Sequence, residues 1–292
     1  MISTSVQLYV QQWLKDTVGA TPDSLRFTTV GGGSINETYR ITAGERSFFC
    51  KINSKAKFPS LFECEQQGLE LLAQQGIIRV PQVAACGHAG NEQILILEWI
   101  EQGLKTSTFW KNFGEQLAAL HHVQGELFGL HANNYMGALP QYNNRANRWT
   151  DFFIHQRLQP QIQLALENKL LEPAHAKQFE NLFKRVPDIF PDEPATLLHG
   201  DLWSGNFLSD DNEKPVLIDP AVYYGHRSID LGMTTLFGGF DALFYESYHY
   251  HYPLPANYRE QWDVCNVYPL LIHVNLFGKS YLTDVLNTIR RY

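Results

Sequence analysis

Near residue 100 the periodicity of this chain changes, and that change constrains the fold more than any single motif. Before it, short runs rich in β-branched and aromatic residues are separated by turn residues: LRFTTV, ETYRITA, RSFFCKIN, and QVAACGHA paired with EQILILEWI around a Gly-Asn turn. After it, apolar residues recur at helical spacing over about 107–124, 147–170 and 173–186, and again toward the C-terminus. One β-rich stretch, 196–219, interrupts them. Period-2 runs build sheets and period-3.6 runs build helices. Two further helical patterns, 4–18 and 60–75, fall in the first part. At 292 residues the chain is long for one small core. The pattern predicts an α+β fold of two lobes, a small β-rich N-lobe over 1–100 and a larger helical C-lobe over 101–292.

Charge narrows the function classes. Charged residues make up 18% of the chain and the formal net charge is −7, without a basic block, so nucleic acid is not expected as a partner. The most apolar stretch, ILILEWI at 94–100, is too short to cross a bilayer. The N-terminal MISTSVQLYVQQWLKD lacks the basic start and apolar core of a signal peptide. Cys50, Cys64, Cys86 and Cys265 include no C-x-x-C pair, which suits reduced thiols better than a zinc or redox motif. A cytoplasmic protein with no membrane partner is the expectation.

Three places carry chemistry. In the 60–75 helix, Leu61, Leu69 and Leu72 form an apolar stripe with Glu65 inside it, whereas Glu63, Gln67, Glu70 and Gln74 form a polar one. A carboxylate on a buried face needs a partner. In FFCKIN, Lys51 points opposite to Cys50 and Ile52, which makes it the candidate. The cluster Gly31, Gly32, Gly33 lies between two strands, where backbone N–H groups can approach phosphate oxygens. Glycine turn, strand lysine and helix glutamate follow the order of a kinase nucleotide lobe.

The third place is LLHGDLWSGNFL, 197–208. Asp201 precedes Asn206 by five, the spacing of the kinase catalytic loop, in which the aspartate takes the substrate hydroxyl's proton and the asparagine oxygen binds Mg²⁺. The following FLSDDNEKPVLID reads as a hairpin that returns Asp219 to Asn206, giving hard oxygen donors suited to Mg²⁺. A rival metallohydrolase set, His199, Asp201, His226 and Asp230, lacks the upstream D-x-H and the histidine after GN that such enzymes need. His121 and His122 end an amphipathic helix and read as packing residues. No G-x-S-x-G is present for a serine hydrolase.

These residues resemble the fructosamine kinase (ketosamine-3-kinase) family, a branch of the protein-kinase-like fold near aminoglycoside and choline kinases. The likeness spans almost the whole chain and rests on GGGSIN, FFCKIN, FECEQQGLELL, ILILEWI, LLHGDLWSGNF, LIDPAVYYGHRSIDLGMTTLFGGF and YREQWDVCNVYPLLIHVNLFG. It implies ATP and Mg²⁺ as cofactors and a small-molecule or protein-bound ketosamine as partner, phosphorylated on its 3-hydroxyl in a deglycation repair. By the same resemblance Asp201 is the base, Asn206 and Asp219 hold the metal, and Trp203 lines the sugar site. Gly32, Gly33, Ser34, Asn36, Lys51, Glu65, Glu98 and Ile100 bind the nucleotide, with Glu98 presenting backbone to adenine. Kinases of another metabolite hydroxyl, such as an amino sugar or amino alcohol, and a nucleotide-binding pseudokinase are the alternatives. Asp219-Pro220-Ala221 replaces D-F-G, so an activation-loop switch is not expected. Ser34 stands where several members carry a redox-sensitive cysteine, and Ser228 where an acidic residue is expected.

Overall fold

A computed structural model of the chain describes residues 2–18, 25–31 and 35–292. The expected nucleotide contacts Gly32, Gly33 and Ser34 lie outside the described residues. The first helix, α1 (Thr4–Val18), carries Val6, Val10 and Leu14 one turn apart, all fully buried. This stripe lies on an antiparallel sheet of β1 (Leu25–Thr29), β2 (Glu37–Ala43), β3 (Arg46–Ser54), β4 (Val83–Ala89) and β5 (Glu92–Glu98), ordered β1-β2-β3-β5-β4. Alternation divides the sheet into two faces. Ile41, Cys50, Ile52, Ile94 and Ile96 pack with α1. Leu95 and Leu97 face away, toward α2 (Leu61–Gln75), which buries Phe62, Leu69 and Leu72. Each such side chain contributes about 1.5–3 kcal/mol by leaving water. Gly76, at φ 64°, ends α2 in the left-handed conformation that glycine adopts without strain.

After β5 the chain crosses to α3 (Ser107–Leu120), whose first turn is capped by the Thr106 hydroxyl accepting from Phe109 N–H. Two short pieces follow, β6 (Gln124–Gly125) and the hairpin β7 (Asn134–Met136) with β8 (Leu139–Gln141). The helix expected over 147–170 is three segments: α4 (Trp149–Phe152), a π-helical stretch (Phe153–Leu158) and α5 (Gln159–Glu167). Beyond α6 (Pro173–Ile189) come β9 (Ala195–Leu198), β10 (Phe207–Ser209), β11 (Pro215–Leu217) and β12 (Tyr223–Gly225). The chain ends in α7 (Ser228–Met233), α8 (Ala242–His251), α9 (Tyr258–Phe277) and α10 (Leu282–Ile289). Helix α9 buries Val264, Cys265, Val267, Tyr268, Leu271 and Val274 and forms the centre of the C-terminal core.

Arg79 links the two lobes. Its carbonyl accepts from Leu217 N–H at 2.9 Å, and its guanidinium reaches both Glu98, at the end of β5, and the buried carboxylate of Asp210. Among the described residues no helix is long and apolar enough to cross a membrane, and the four cysteines are free.

Candidate active site

A cavity of about 430 Å³ opens between the lobes. Its upper wall carries Lys51, which the alternation of β3 turns away from α1 and toward α2. Lys51 Nζ donates to Glu65 Oε1 at 2.7 Å and to Asp219 Oδ1, with the lysine 2% exposed. Burial works against the ammonium, but Asp219 and Glu65 overcome it and hold its pKa above the ordinary lysine value. Burial also pushes Glu65 upward while Lys51 pulls it down. At 2.7 Å the charged pair is the state we assign near neutral pH.

Its lower wall is the expected loop and hairpin. Phe207 pairs with Leu217 and Ser209 with Pro215, and Ile218 N–H donates to Asn206 O at 3.0 Å. That register returns Asp219 to the asparagine. Asp219 has a φ of 55°, a left-handed backbone that aspartate tolerates better than most residues. Asn206 Nδ2 donates to the Asp201 backbone oxygen at 2.8 Å and to its Oδ2 at 3.0 Å. Burial, with Asp219 adding to it, raises the Asp201 carboxyl to about 7 against the pull of that hydrogen bond. A carboxylate of such basicity suits proton abstraction near neutral pH.

The donor set fits Mg²⁺. Asn206 Oδ1 accepts no hydrogen bond among the described residues, because the amide's NH₂ is turned to Asp201. The Asp219 side chain is 42% exposed and gives only Oδ1 to Lys51. Two hard oxygen donors beside open space match a cation that keeps waters and phosphate oxygens in its shell. Asn206 and Asp219 could therefore hold it. The rival set is not assembled: among the described residues no three His, Cys, Asp or Glu side chains converge on a metal-sized space.

Asp230 instead grips backbone. Its Oδ2 accepts from His199 N–H and its Oδ1 from Gly200 N–H, each at 2.8 Å. His121, fully buried, adds a contact to Asp230 at 3.2 Å, so packing and not ligation accounts for it. His199 Nε2 lies 2.9 Å from Ile218 O and so donates to it, while Nδ1 accepts from Asp201 N–H at 3.3 Å. Asp230 thus fastens the loop to α7 and His199 fastens it to the hairpin, roles the sequence reading did not give them. The only available signal was an aspartate inside the apolar run SIDLGM. Ser228, in place of the expected acid, donates to Gln261 Oε1 at 2.9 Å.

The remaining expected residues line the same cavity: Asn36, Glu98, Ile100 and Trp203, together with Gly31. Asn36 accepts from Asn53 Nδ2 at 2.6 Å. The Glu98 N–H is occupied, donating to Gln82 O at 2.8 Å, and its carboxylate is turned to Arg79. Any backbone contact from this residue therefore falls to its carbonyl. Trp203, between Asp201 and Asn206 in the loop, stands edge-on to Phe237, with centroids 5.9 Å apart.

The sequence profile of the fructosamine kinase family matches residues 6–292. A Synechocystis sp. protein named "Probable ketoamine kinase" is 38% identical over 273 residues, 93% of this chain and 92% of its own. A protein-ribulosamine 3-kinase of Arabidopsis thaliana, named as chloroplastic, is 34% identical over 97% of this chain and 87% of its own. A solved structure from Haemophilus somnus, provisionally named a fructosamine-3-kinase, superimposes with a TM-score of 0.87 at 28% identity, covering 97% of this chain and 96% of that one. Aminoglycoside phosphotransferase structures share the fold alone, one with a TM-score of 0.60 at 15% identity over 96% of this chain and 98% of its own.

Proposed function

The chain belongs to the fructosamine kinase family, and from that membership we propose that it transfers the γ-phosphoryl group of ATP to the 3-hydroxyl of a ketoamine of the fructosamine or ribulosamine type. One observation carries the reading: the Lys51–Glu65–Asp219 ion cluster and the Asp201–Asn206 pair open into a single cavity. Phosphoryl transfer needs little covalent help from a protein. It needs the phosphates held, their charge offset and the attacking hydroxyl aligned.

Each residue then has a part. Residues 1–100 hold the nucleotide and 101–292 supply the acceptor site. Lys51, fixed by Glu65, meets the phosphates. Glu98 and Ile100 offer backbone to adenine, and Gly32, Gly33, Ser34 and Asn36 are assigned to the nucleotide. Asn206 and Asp219 hold Mg²⁺, which when bound offsets charge on the phosphate oxygens. Asp201 accepts the proton of the 3-hydroxyl. Trp203 gives an apolar plate to the sugar's C–H face. With the 3-hydroxyl phosphorylated, enolisation of the C2 ketone toward C1 gives an enaminol that expels the C3 group as inorganic phosphate, and water then hydrolyses the resulting imine, freeing the amine and a 3-deoxy dicarbonyl. That makes the activity a repair of glycated amines, and we place it in the cytoplasm.

The test supplies ATP and Mg²⁺ with fructosyl-lysine, ribulosyl-lysine, an aminoglycoside, choline and free hexoses in separate reactions, and follows ADP release. Turnover with a ketoamine is expected. Turnover of the aminoglycoside or choline with none of a ketoamine would replace the acceptor while keeping the kinase chemistry.

A further inference from the structure

Arg157 is a guanidinium sealed in the C-terminal core with no carboxylate bound to it among the described residues. It is fully buried. Its Nη1 donates to the carbonyls of Tyr142 and Gln156, and its Nη2 donates to Asn143 Oδ1 at 2.7 Å. The rings of Tyr223, Phe152 and Tyr268 surround it, with centroids 3.9, 4.5 and 5.5 Å from its central carbon. Cation–π contacts of this kind offset part of the cost of burying the charge. The residue sits on the π-helical stretch Phe153–Leu158, and such turns are frequent where a helix serves a site.

From Arg157 a line of buried amides runs toward the active site. Asn143 Nδ2 donates to Asn134 Oδ1 at 2.9 Å, and Asn134 Nδ2 donates to Val222 O at 2.9 Å. Gln141 Nε2 donates to the same Asn134 oxygen at 2.9 Å and to Ala221 O at 3.1 Å, while its Oε1 accepts from Tyr268 O–H at 2.9 Å. Asn134, Gln141 and Asn143 are each at most 8% exposed.

The line has a direction. An arginine donates and cannot accept. It therefore turns the Asn143 oxygen toward itself and, together with the Ala132 carbonyl, which accepts from Asn143 Nδ2 at 3.0 Å, the Asn143 NH₂ toward Asn134. That in turn leaves only the Asn134 oxygen for Asn143, and sends the Asn134 NH₂ to the Val222 carbonyl. An amide turned over at any point would set two donors or two acceptors face to face.

The far end of the line holds the two residues that follow Asp219-Pro220. Asp219 itself is in the left-handed region, which persists where the surroundings fix it. Ile218 N–H is taken by Asn206 O, Ala221 N–H by His199 O, and the Ala221 and Val222 carbonyls by Gln141 and Asn134. We propose that Arg157 is a remote positioning residue: by orienting the Asn143–Asn134–Gln141 amides it clamps the Ala221-Val222 backbone and so holds the Asp219 carboxylate in place for Mg²⁺. The proposal rests on the reading of Asp219 as a metal ligand, and not on which acceptor is phosphorylated.

The test measures ADP binding by calorimetry, with Mg²⁺ and with EDTA, on the full chain and without any acceptor. Arg157→Gln, which can accept as well as donate, lets the amides turn over. It is expected to reduce the tightening of ADP by Mg²⁺ about tenfold, the scale seen when partners of metal ligands are removed, with metal-free ADP affinity within about twofold. Arg157→Lys, still donor-only, is expected to keep most of the Mg²⁺ effect. Asn134→Asp has the same shape and loses the donor to Val222 O, so it should match Arg157→Gln and also covers the case in which that variant does not fold. An Asn134→Asp protein that keeps the wild-type Mg²⁺ effect, or that does not fold, overturns the proposal, because the line would then serve stability alone. Absence of ketoamine turnover in the acceptor panel leaves this result untouched and fails only the substrate reading.

Discussion

Glu65 meets Lys51 at 2.7 Å across the roof of the cleft, while Glu63, two residues earlier on α2, turns outward to His88 at 3.0 Å. Two carboxylates of one helix thus serve different surroundings. Removing the Glu65 charge leaves a lysine that is 2% exposed with Asp219 as its sole anionic partner among the described residues. The ammonium would then be drawn to Asp219 and away from phosphate. Glu65→Gln is expected to lower kcat/KM by about 10-fold or more, consistent with truncating one partner of a buried charged pair, whereas Glu63→Gln stays within about twofold. Steady-state kinetics of both variants decides it, and equal values would refute the role of the pair.

Asp201→Asn keeps the shape of the side chain and an oxygen to accept from Asn206 Nδ2, now at 3.0 Å. What it loses is basicity. The expected result is a kcat lower by about 10²–10⁴, the usual worth of a general base, with ADP affinity nearly intact. A variant that retained more than about half of the wild-type kcat would show that another group takes the proton.

His226 gives the fold a pH dependence of its own. It is fully buried between the Trp149 and Phe190 rings, and its Nδ1 accepts from Ser228 N–H at 3.2 Å. Burial depresses its pKa from 6.5 to about 4, although Glu193 pulls the other way. The folded state therefore resists a proton that the unfolded chain binds. Stability is full above the unfolded value of 6.5 and is lost as pH falls toward about 4. By about pH 5 the loss from this one group is about 2 kcal/mol. Urea unfolding at several pH values measures it. His226→Asn still offers an acceptor to Ser228, and it should flatten the slope by about one proton between pH 7 and 5. An unchanged slope would move the effect to His199, whose pKa burial also lowers.

Much of this was open to reading because it depends on short-range geometry. Strand parity put Lys51 opposite Cys50, and helix spacing put Glu65 on the buried stripe. The short turn between β10 and β11 pairs Phe207 with Leu217, the register that returns Asp219 to Asn206. Asp230, Gln141, Asn134 and Arg157 were not legible: the first three act on backbone groups tens of residues away, Arg157 acts on the Asn143 side chain, and none has a spacing that announces it. The π turn hid Arg157 further, because one extra residue shifts it off the 3.6 period. Glu98 lines the cavity, but Gln82, just before β4, takes its N–H, and a sequence does not tell which strand groups stay free.

Trp203 is held in place by a residue that has no side chain. A Cβ on Gly205 would lie 2.3 Å from the indole ring, far inside contact distance, so this position admits glycine only while the ring stays where it is. On its other side the ring meets Phe237 edge-on. Gly205→Ala must therefore push the indole into the cavity or the backbone of the catalytic loop outward. If Trp203 is the plate for the sugar, two different substitutions should share one signature. Trp203→Ala removes the plate and Gly205→Ala displaces it, and both are expected to raise KM for the ketoamine by about 10-fold or more, the scale of about 1.4 kcal/mol of lost contact, while KM for ATP stays within about twofold. Kinetics with each substrate varied in turn separates the outcomes. A rise confined to ATP, or spread equally over both substrates, would mean that the ring supports the loop and does not touch the sugar.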